Sequence, residues 1–283
     1  MRKAVVPILV AVLAAFGLAS PASGTKASAA PPPKAIVSLS PTATEILFAI
    51  GAGKQVIAVD DQSSFPKRAP RTKLSGFTPN AEAVAGYSPD LVVLPDSTVA
   101  GSLSALNIKV VVQKAAATLD GSYAQIRQLG KVTGHVSAAK KIVQSMQAKI
   151  KQLVASVTKR KKAPTAYYEL DDTYFSANSS TFIGRLLKLA GFANIADAAP
   201  GGGSGYPQLS AEYIVNKDPS VIFLADTKCC GQSQATVAAR PGFSALSAVK
   251  KGHVVALDDD IASRWGPRVV QLLAVIVKAA KKL

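Results

Sequence analysis

The 283-residue chain has only two cysteines, two histidines and one tryptophan. Two cysteines cannot staple a small disulfide-framework fold, and the two cysteines and two histidines lack the ligand spacing of a Cys/His zinc site. Aromatic residues make up 6%, and neither zinc-finger spacing nor an RNP-type motif is present, so nothing here points to nucleic acid. Charged residues are scarce, 18% against 48% hydrophobic, which excludes a disordered chain. No Gly-X-Y period, sustained heptad or bilayer-length apolar run beyond the N-terminus occurs, so collagen, coiled coil and multi-span membrane folds are excluded. Gly-x-Ser-x-Gly, Walker, Gly-x-Gly-x-x-Gly and His-Glu-x-x-His motifs are also missing. No catalytic residue, metal ligand or cofactor is therefore expected, and the reading is not that of an enzyme.

Acidic residues are scarcer than basic ones, 17 against 33, for a net charge of +16. The excess gathers in short runs, Lys159 to Lys162, Lys250-Lys251 and Lys281-Lys282, which reads as a solvated basic face. The N-terminus reads as a targeting segment over residues 1–29. Arg2 and Lys3 are followed by an apolar stretch from Ala4 to Leu18, then by small residues suited to cleavage. Cleavage after Ala29 removes three of the 33 cationic residues and none of the 17 acidic ones, lowering +16 to +13. No cysteine precedes Cys229, so an exported protein that is not a lipoprotein is expected, in the periplasm or at the extracytoplasmic surface. Residues 30–34 make a Pro-rich spacer.

From Ala35 onward, strand-like and helix-like stretches alternate, as βαβ units do. Strands are expected at Ala35–Leu39, Gln55–Val59, Leu91–Leu94, Ile108–Val112, Thr165–Leu170, Val221–Leu224 and Val254–Leu257. Helices are expected at Thr42–Ala52, Phe182–Leu189 and Pro267–Ala280. An internal repeat supports two halves: at an offset of 130, Ala81-Glu82 falls on Ala211-Glu212, Pro89 on Pro219, Leu94 on Leu224 and Asp96 on Asp226. Between the halves, Ala139, Ile142, Met146, Ile150, Leu153 and Val157 recur at helical spacing in a Gly- and Pro-free run. That run predicts one long helix over Ser137–Lys162, roughly 39 Å at 1.5 Å per residue. The expected fold class is α/β: two similar Rossmann-like lobes with mostly parallel sheets (35–134 and 163–283), joined by a linking helix in 135–162. A stiff helical link predicts a clamp that closes little.

Several short motifs then stand in a telling order: Ser38-Leu39-Ser40-Pro41, Thr44-Glu45, Gly51-Ala52-Gly53, Gly76-Phe77, Asn80-Ala81-Glu82, Pro89-Asp90-Leu91-Val92, Arg240-Pro241-Gly242-Phe243 and Gly266-Pro267-Arg268. Together they resemble the helical-backbone substrate-binding proteins of ABC importers, over nearly the whole of Ala35 to Lys278. The resemblance implies a monomer that binds cobalamin, haem or a ferric siderophore between its lobes and meets the importer's membrane subunits. It also implies that Glu82 and Glu212, equivalent in the repeat, dock on those subunits.

Ligands of open α/β lobes bind outside the carboxyl ends of the strands. That selects Ser40, Pro41, Asp61, Phe65, Phe77 and Asp96 from the first lobe. It selects Tyr174, Phe175, Tyr206, Asp226, Arg264 and Trp265 from the second. The resemblance, with the mix of loop aromatics and Ser, Thr and Asp, ranks a corrinoid first: Asp60, Asp61, Asp171 and Asp172 would repel an anionic iron complex, although Arg240 and Arg264 are placed to meet one. A chelatase-like enzyme and a cationic cell-wall-binding protein are the alternatives of other classes. Cys229 and Cys230 have three open states: a strained vicinal disulfide, two free thiols, or a soft metal ligand. Asp258, Asp259 and Asp260 read as a strand-end turn.

Overall fold

A computed structural model describes residues 31–158 and 160–283. The targeting segment, the first spacer residue and Lys159 lie outside the described residues. The first lobe runs β1 (Ile36–Ser38), α1 (Pro41–Ala49), β2 (Val56–Val59), α2 (Ala81–Ala85), β3 (Leu91–Leu94), α3 (Ala100–Ala105) and β4 (Lys109–Val112). Two longer helices follow, α4 (Leu119–Val132) and α5 (Val136–Ala155). The second lobe runs β5 (Thr165–Glu169), α6 (Phe182–Leu189), β6 (Ala193–Asn194), α7 (Ala211–Lys217), β7 (Val221–Leu224), α8 (Gln234–Ala238), α9 (Ser247–Lys250) and β8 (Val254–Ala256). α10 (Asp259–Ala262) and α11 (Val269–Lys282) close the chain.

Each lobe holds a four-stranded sheet, in the order β2-β1-β3-β4 and β6-β5-β7-β8, with every pair parallel. The repeat in sequence is thus a repeat in topology: two α/β lobes with parallel sheets. Strand side chains alternate between faces as the period of two requires. Ile36, Leu91 and Val93 point into a core shared with Ala166, Tyr168, Val221 and Phe223 of the other lobe. Val37, Val92 and Leu94 pack outward under the first lobe's own helices, and Tyr167, Ile222 and Leu224 do so in the second. Strands buried on both faces need uninterrupted apolar runs, which is what Leu91–Leu94 and Val221–Leu224 supply.

The motif Ser38-Leu39-Ser40-Pro41 has a local cause. Ser40 caps α1 by accepting the Ala43 N–H at 3.3 Å, and Pro41 pre-sets the first turn. Thr44 then bonds the Ser38 and Ser63 hydroxyls, each at 2.9 Å, beneath the surface. α1 is apolar or buried nearly all round because it lies inside the core that both lobes share.

The linking helix is shorter than its sequence suggests: 20 residues ending at Ala155, not a run to Lys162. The Ser156 hydroxyl turns back to the Leu153 carbonyl at 2.7 Å and competes with the next helical turn. The crowded cations of Arg160, Lys161 and Lys162 give that turn no support. Ala139, Val143, Met146 and Ile150 form the buried stripe, packed against α4 and α11. Helix α4 is absent from the sequence reading, and Gly130 explains its fit: a side chain there would strike Ala139 of α5. Among the described residues no helix is long and apolar enough to cross a membrane.

Candidate functional site

The carboxyl ends of the two sheets converge. The loop after β2 and the segment after β8 are joined by Ser64, whose hydroxyl donates to Asp260 at 3.1 Å. Arg264 crosses the same junction, donating to Glu45 at 2.8 Å, Asp260 at 2.9 Å, the Gln62 carbonyl at 3.1 Å and Ser64 at 3.2 Å. Arg268 binds both oxygens of Glu45 and stacks over the Phe65 ring at 4.2 Å. Glu45 is 3% exposed and Arg264 8%. Two of the motifs in the sequence, Thr44-Glu45 and Gly266-Pro267-Arg268, are therefore partners across 223 residues. Their bridge forms the floor between the lobes.

Loops rise from that floor on both sides. On the first lobe, Asp61 accepts the Gly76 N–H at 3.0 Å, and a side chain at Gly76 would sit 3.1 Å from the Asp60 carboxylate. A Cβ there would be a tight contact, and the next residue, Phe77, is 80% exposed. Burial raises the Asp60 carboxyl above its usual range. Phe65 is also exposed, and so are Phe175 and Tyr206 on the second lobe. Tyr174 is half-buried, in contact with Phe243 at 5.9 Å and beneath Arg240 at 5.3 Å. Trp265 is half-buried as well; its indole N–H donates to Gln125 of α4 at 2.8 Å, and its carbonyl accepts the Ser122 hydroxyl. Pro41 is partly covered, and Asp96 is exposed and caps the Thr98 N–H, which holds its carboxyl below the usual range.

Three residues chosen from sequence lie beneath the accessible surface. Ser40 is the buried helix cap, Arg264 belongs to the inter-lobe bridge, and Asp226 is 0% exposed. Asp226 follows the end of β7, beside Glu169, which ends β5 and is held by Arg240 through two bonds of 2.6 and 2.7 Å. Among the described residues neither Asp226 oxygen has a hydrogen-bond partner. Burial first, and the Glu169 carboxylate second, push its carboxyl up to about 7. Its repeat equivalent, Asp96, is exposed, so a shared position in the repeat does not give a shared environment. Sequence reasoning missed Glu45, Arg268 and Ser64 as the bridging residues, although the motifs carrying the first two were in view.

The state of Asp226 sets a pH dependence. Between about pH 4 and 7 the unfolded chain has released a proton that the folded chain keeps, so stability falls as pH rises through that window. Asp226→Asn removes the ionisation and is expected to stabilise the protein at pH 8 by about 1–3 kcal/mol, with the gain vanishing near pH 4. Thermal unfolding at several pH values checks this; a gain that grows toward acid pH would contradict it.

Of the three states open from sequence, the structure has Cys229 and Cys230 as free thiols on the exposed turn after β7. Hydrogen bonding to Cys230 and burial push the Cys229 thiol up to about 12. The turn is held by Asp259, which accepts the N–H groups of Thr227, Lys228 and Cys229 at 2.8–3.0 Å. Among the described residues no cluster of three or more His, Cys, Asp or Glu side chains is arranged to hold a metal ion.

The periplasmic binding protein family model matches residues 36–261. The chain belongs to that family. A cobalamin-binding protein of Halobacterium salinarum is 32% identical over 268 residues, covering 91% of this chain and 72% of its own. An uncharacterized ABC transporter substrate-binding lipoprotein of Bacillus subtilis is 28% identical, covering 84% and 77%. Among solved structures, the periplasmic vitamin B12 binding protein of Vibrio cholerae superposes with a TM-score of 0.70 at 25% identity, covering 89% of this chain and 99% of that one. The two lobes, with strand-end loops above one floor, are the architecture of a substrate-binding protein.

Proposed function

We propose that this chain works outside the cytoplasm as a monomeric binding protein, holds a cobalamin-type corrinoid between its lobes without chemical turnover, and delivers it to an ABC importer. The observation that carries the reading is the set of exposed rings, Phe65, Phe77, Phe175 and Tyr206, on strand-end loops of both lobes above one rigid floor. Exposed aromatic faces flanked by Asp61 and Asp96 suit a large flat macrocycle with neutral amides at its rim. Haem and ferric siderophores are the runner-up ligands. Against an anionic iron complex, the two guanidiniums that the sequence offered, Arg240 and Arg264, are already engaged by Glu169 and Glu45. The names of the Halobacterium and Vibrio relatives favour cobalamin in the same direction.

The test is titration calorimetry of the purified protein with cobalamin, haem and a panel of ferric siderophores. Cobalamin is expected to bind at micromolar concentration or tighter. Phe77→Ala is the cleanest variant, because an 80% exposed ring contributes little to folding. It is expected to weaken cobalamin by about 1–3 kcal/mol, the value of one newly covered aromatic side chain. Siderophore binding without cobalamin binding would reverse the ligand order, and an unchanged affinity in the variant would remove Phe77 from the site.

A further inference from the structure

The amino ends of the second lobe's strands carry a feature that ligand transport does not use. A cavity of about 550 Å³ opens there, next to Thr165 at the start of β5, Ser220 before β7 and His253 before β8. Arg160, Lys162, Lys217 and Lys251 border it. None of these four takes part in an ion pair among the described residues. Asp218 is the one acidic side chain on the wall, and its carboxylate is taken up by the Ser247 N–H and hydroxyl, both at 2.6 Å. Lys217 and Lys251 sit at helix C-termini, where cations are favoured locally, but Arg160 and Lys162 have no such cause.

A second cavity of about 570 Å³ adjoins the first and shares Arg160, Ala163 and Pro164 with it. Its remaining wall is largely apolar, with Val154, Val157, Leu189, Ala190 and Ala280 from the ends of α5, α6 and α11. It shares Val154 and Leu189 with a further cavity of about 610 Å³, whose wall combines Leu119, Phe182 and Leu186 with Asp120, Arg185 and Lys188. Each volume falls in the range of small-molecule sites, roughly 300–1,000 Å³. A cationic chamber continuous with an apolar groove selects a ligand that has both characters. A nucleic acid would want aromatic stacking surfaces, and the cationic chamber has no Phe, Tyr or Trp on its wall. A flat membrane would meet exposed cations directly and would leave the groove unfilled.

We propose that the two cavities form one site for a single-chain lipid phosphate, with its phosphate among Arg160, Lys162, Lys217 and Lys251 and its chain along the groove past Val157 and Leu189. The site lies at the end of the sheet opposite the cleft, so it is independent of the cargo and stays open while the cleft is occupied. The phosphate meets four cations that form no ion pair among the described residues, although Lys217 lies over the Tyr213 ring at 5.2 Å, and the chain covers the exposed Leu189 and the half-buried Val154 and Val157.

The experiment titrates the full protein with lysophosphatidic acids of 12 and 14 carbons below their micelle concentrations, with tripolyphosphate, and with phosphatidic acid vesicles. Binding of monomeric lipid is expected, stronger by roughly tenfold for two added methylenes. Lys162→Glu and Leu189→Glu, both at exposed positions, are each expected to weaken it at least tenfold, while circular dichroism stays native. Cobalamin titrations of both variants are expected to match the unmodified protein; failure of cobalamin throughout would sink the transport reading and leave this one standing. Equal affinity for tripolyphosphate and lipid would reduce the site to an anion pocket and overturn the proposal. Binding to vesicles alone, or insensitivity to either variant, would overturn it too.

Discussion

Glu45→Ala is expected to destabilise the protein by about 3–5 kcal/mol, the usual loss when one partner of a buried charge network is removed. The carboxylate is 3% exposed and meets two guanidiniums, Arg264 at 2.8 Å and Arg268 through both of its oxygens. Without it, two cations face each other at the floor of the clamp, with Asp260 as the remaining charged partner of Arg264 and the Phe65 ring beneath Arg268. Glu45→Gln keeps an oxygen acceptor but not the charge, so its loss should fall between alanine and the native side chain. Urea denaturation midpoints at fixed slope give the comparison. A loss below 1 kcal/mol for Glu45→Ala would mean that water already screens the bridge, and that the shared core alone joins the lobes.

The same bridge shows where sequence and structure part company. β-branched and apolar runs such as Leu91–Leu94 and Val221–Leu224 declare themselves because strand burial has a period that adjacent residues carry. The offset of 130 likewise places α2 on α7 and β3 on β7 before any coordinate is known. Burial of charge is different, since it depends on partners far away in the chain. Arg264 looks like a wall cation until Glu45, 219 residues earlier, is seen to bind it. Asp226 looks like a polar loop residue until Glu169 and Arg240 close over the end of β7. Helix α4 escaped because Gly121, Ser122 and Gly130 dilute its apolar stripe of Tyr123, Ile126 and Leu129. The end of α5 was misplaced because a single serine side chain stops a periodicity that Val157 continues on paper. The exposed aromatics were legible for a simpler reason: strand-end loops can be read from strand order, and a ring on such a loop has little apolar surface to hide against.

Replacing both Glu82 and Glu212 with alanine is expected to abolish uptake of the bound ligand while leaving its affinity unchanged. The two acids occupy the second position of α2 and of α7, both exposed, behind the caps Asn80 and Ser210. Each of these helices runs antiparallel to the strand it feeds, so its N-terminus lies on the carboxyl-end side of the sheet, beside the cleft loops. One carboxylate is thus expected at the rim of each lobe, on the side of the proposed ligand cleft. With the net charge of +13 expected after cleavage, two matched acidic positions would offer local complementarity to arginines, which the family resemblance implies on the membrane subunits. A structural role predicts something else: a first-turn carboxylate favours its helix by only about 0.3–1 kcal/mol, so the double variant should remain folded. Single variants should each retain partial uptake if the subunits grip the lobes independently. Transport into proteoliposomes that hold the importer, run beside calorimetric titration of the same variants, separates docking from binding. A fall in ligand affinity that tracks the fall in uptake would place the pair in the ligand site and refute docking.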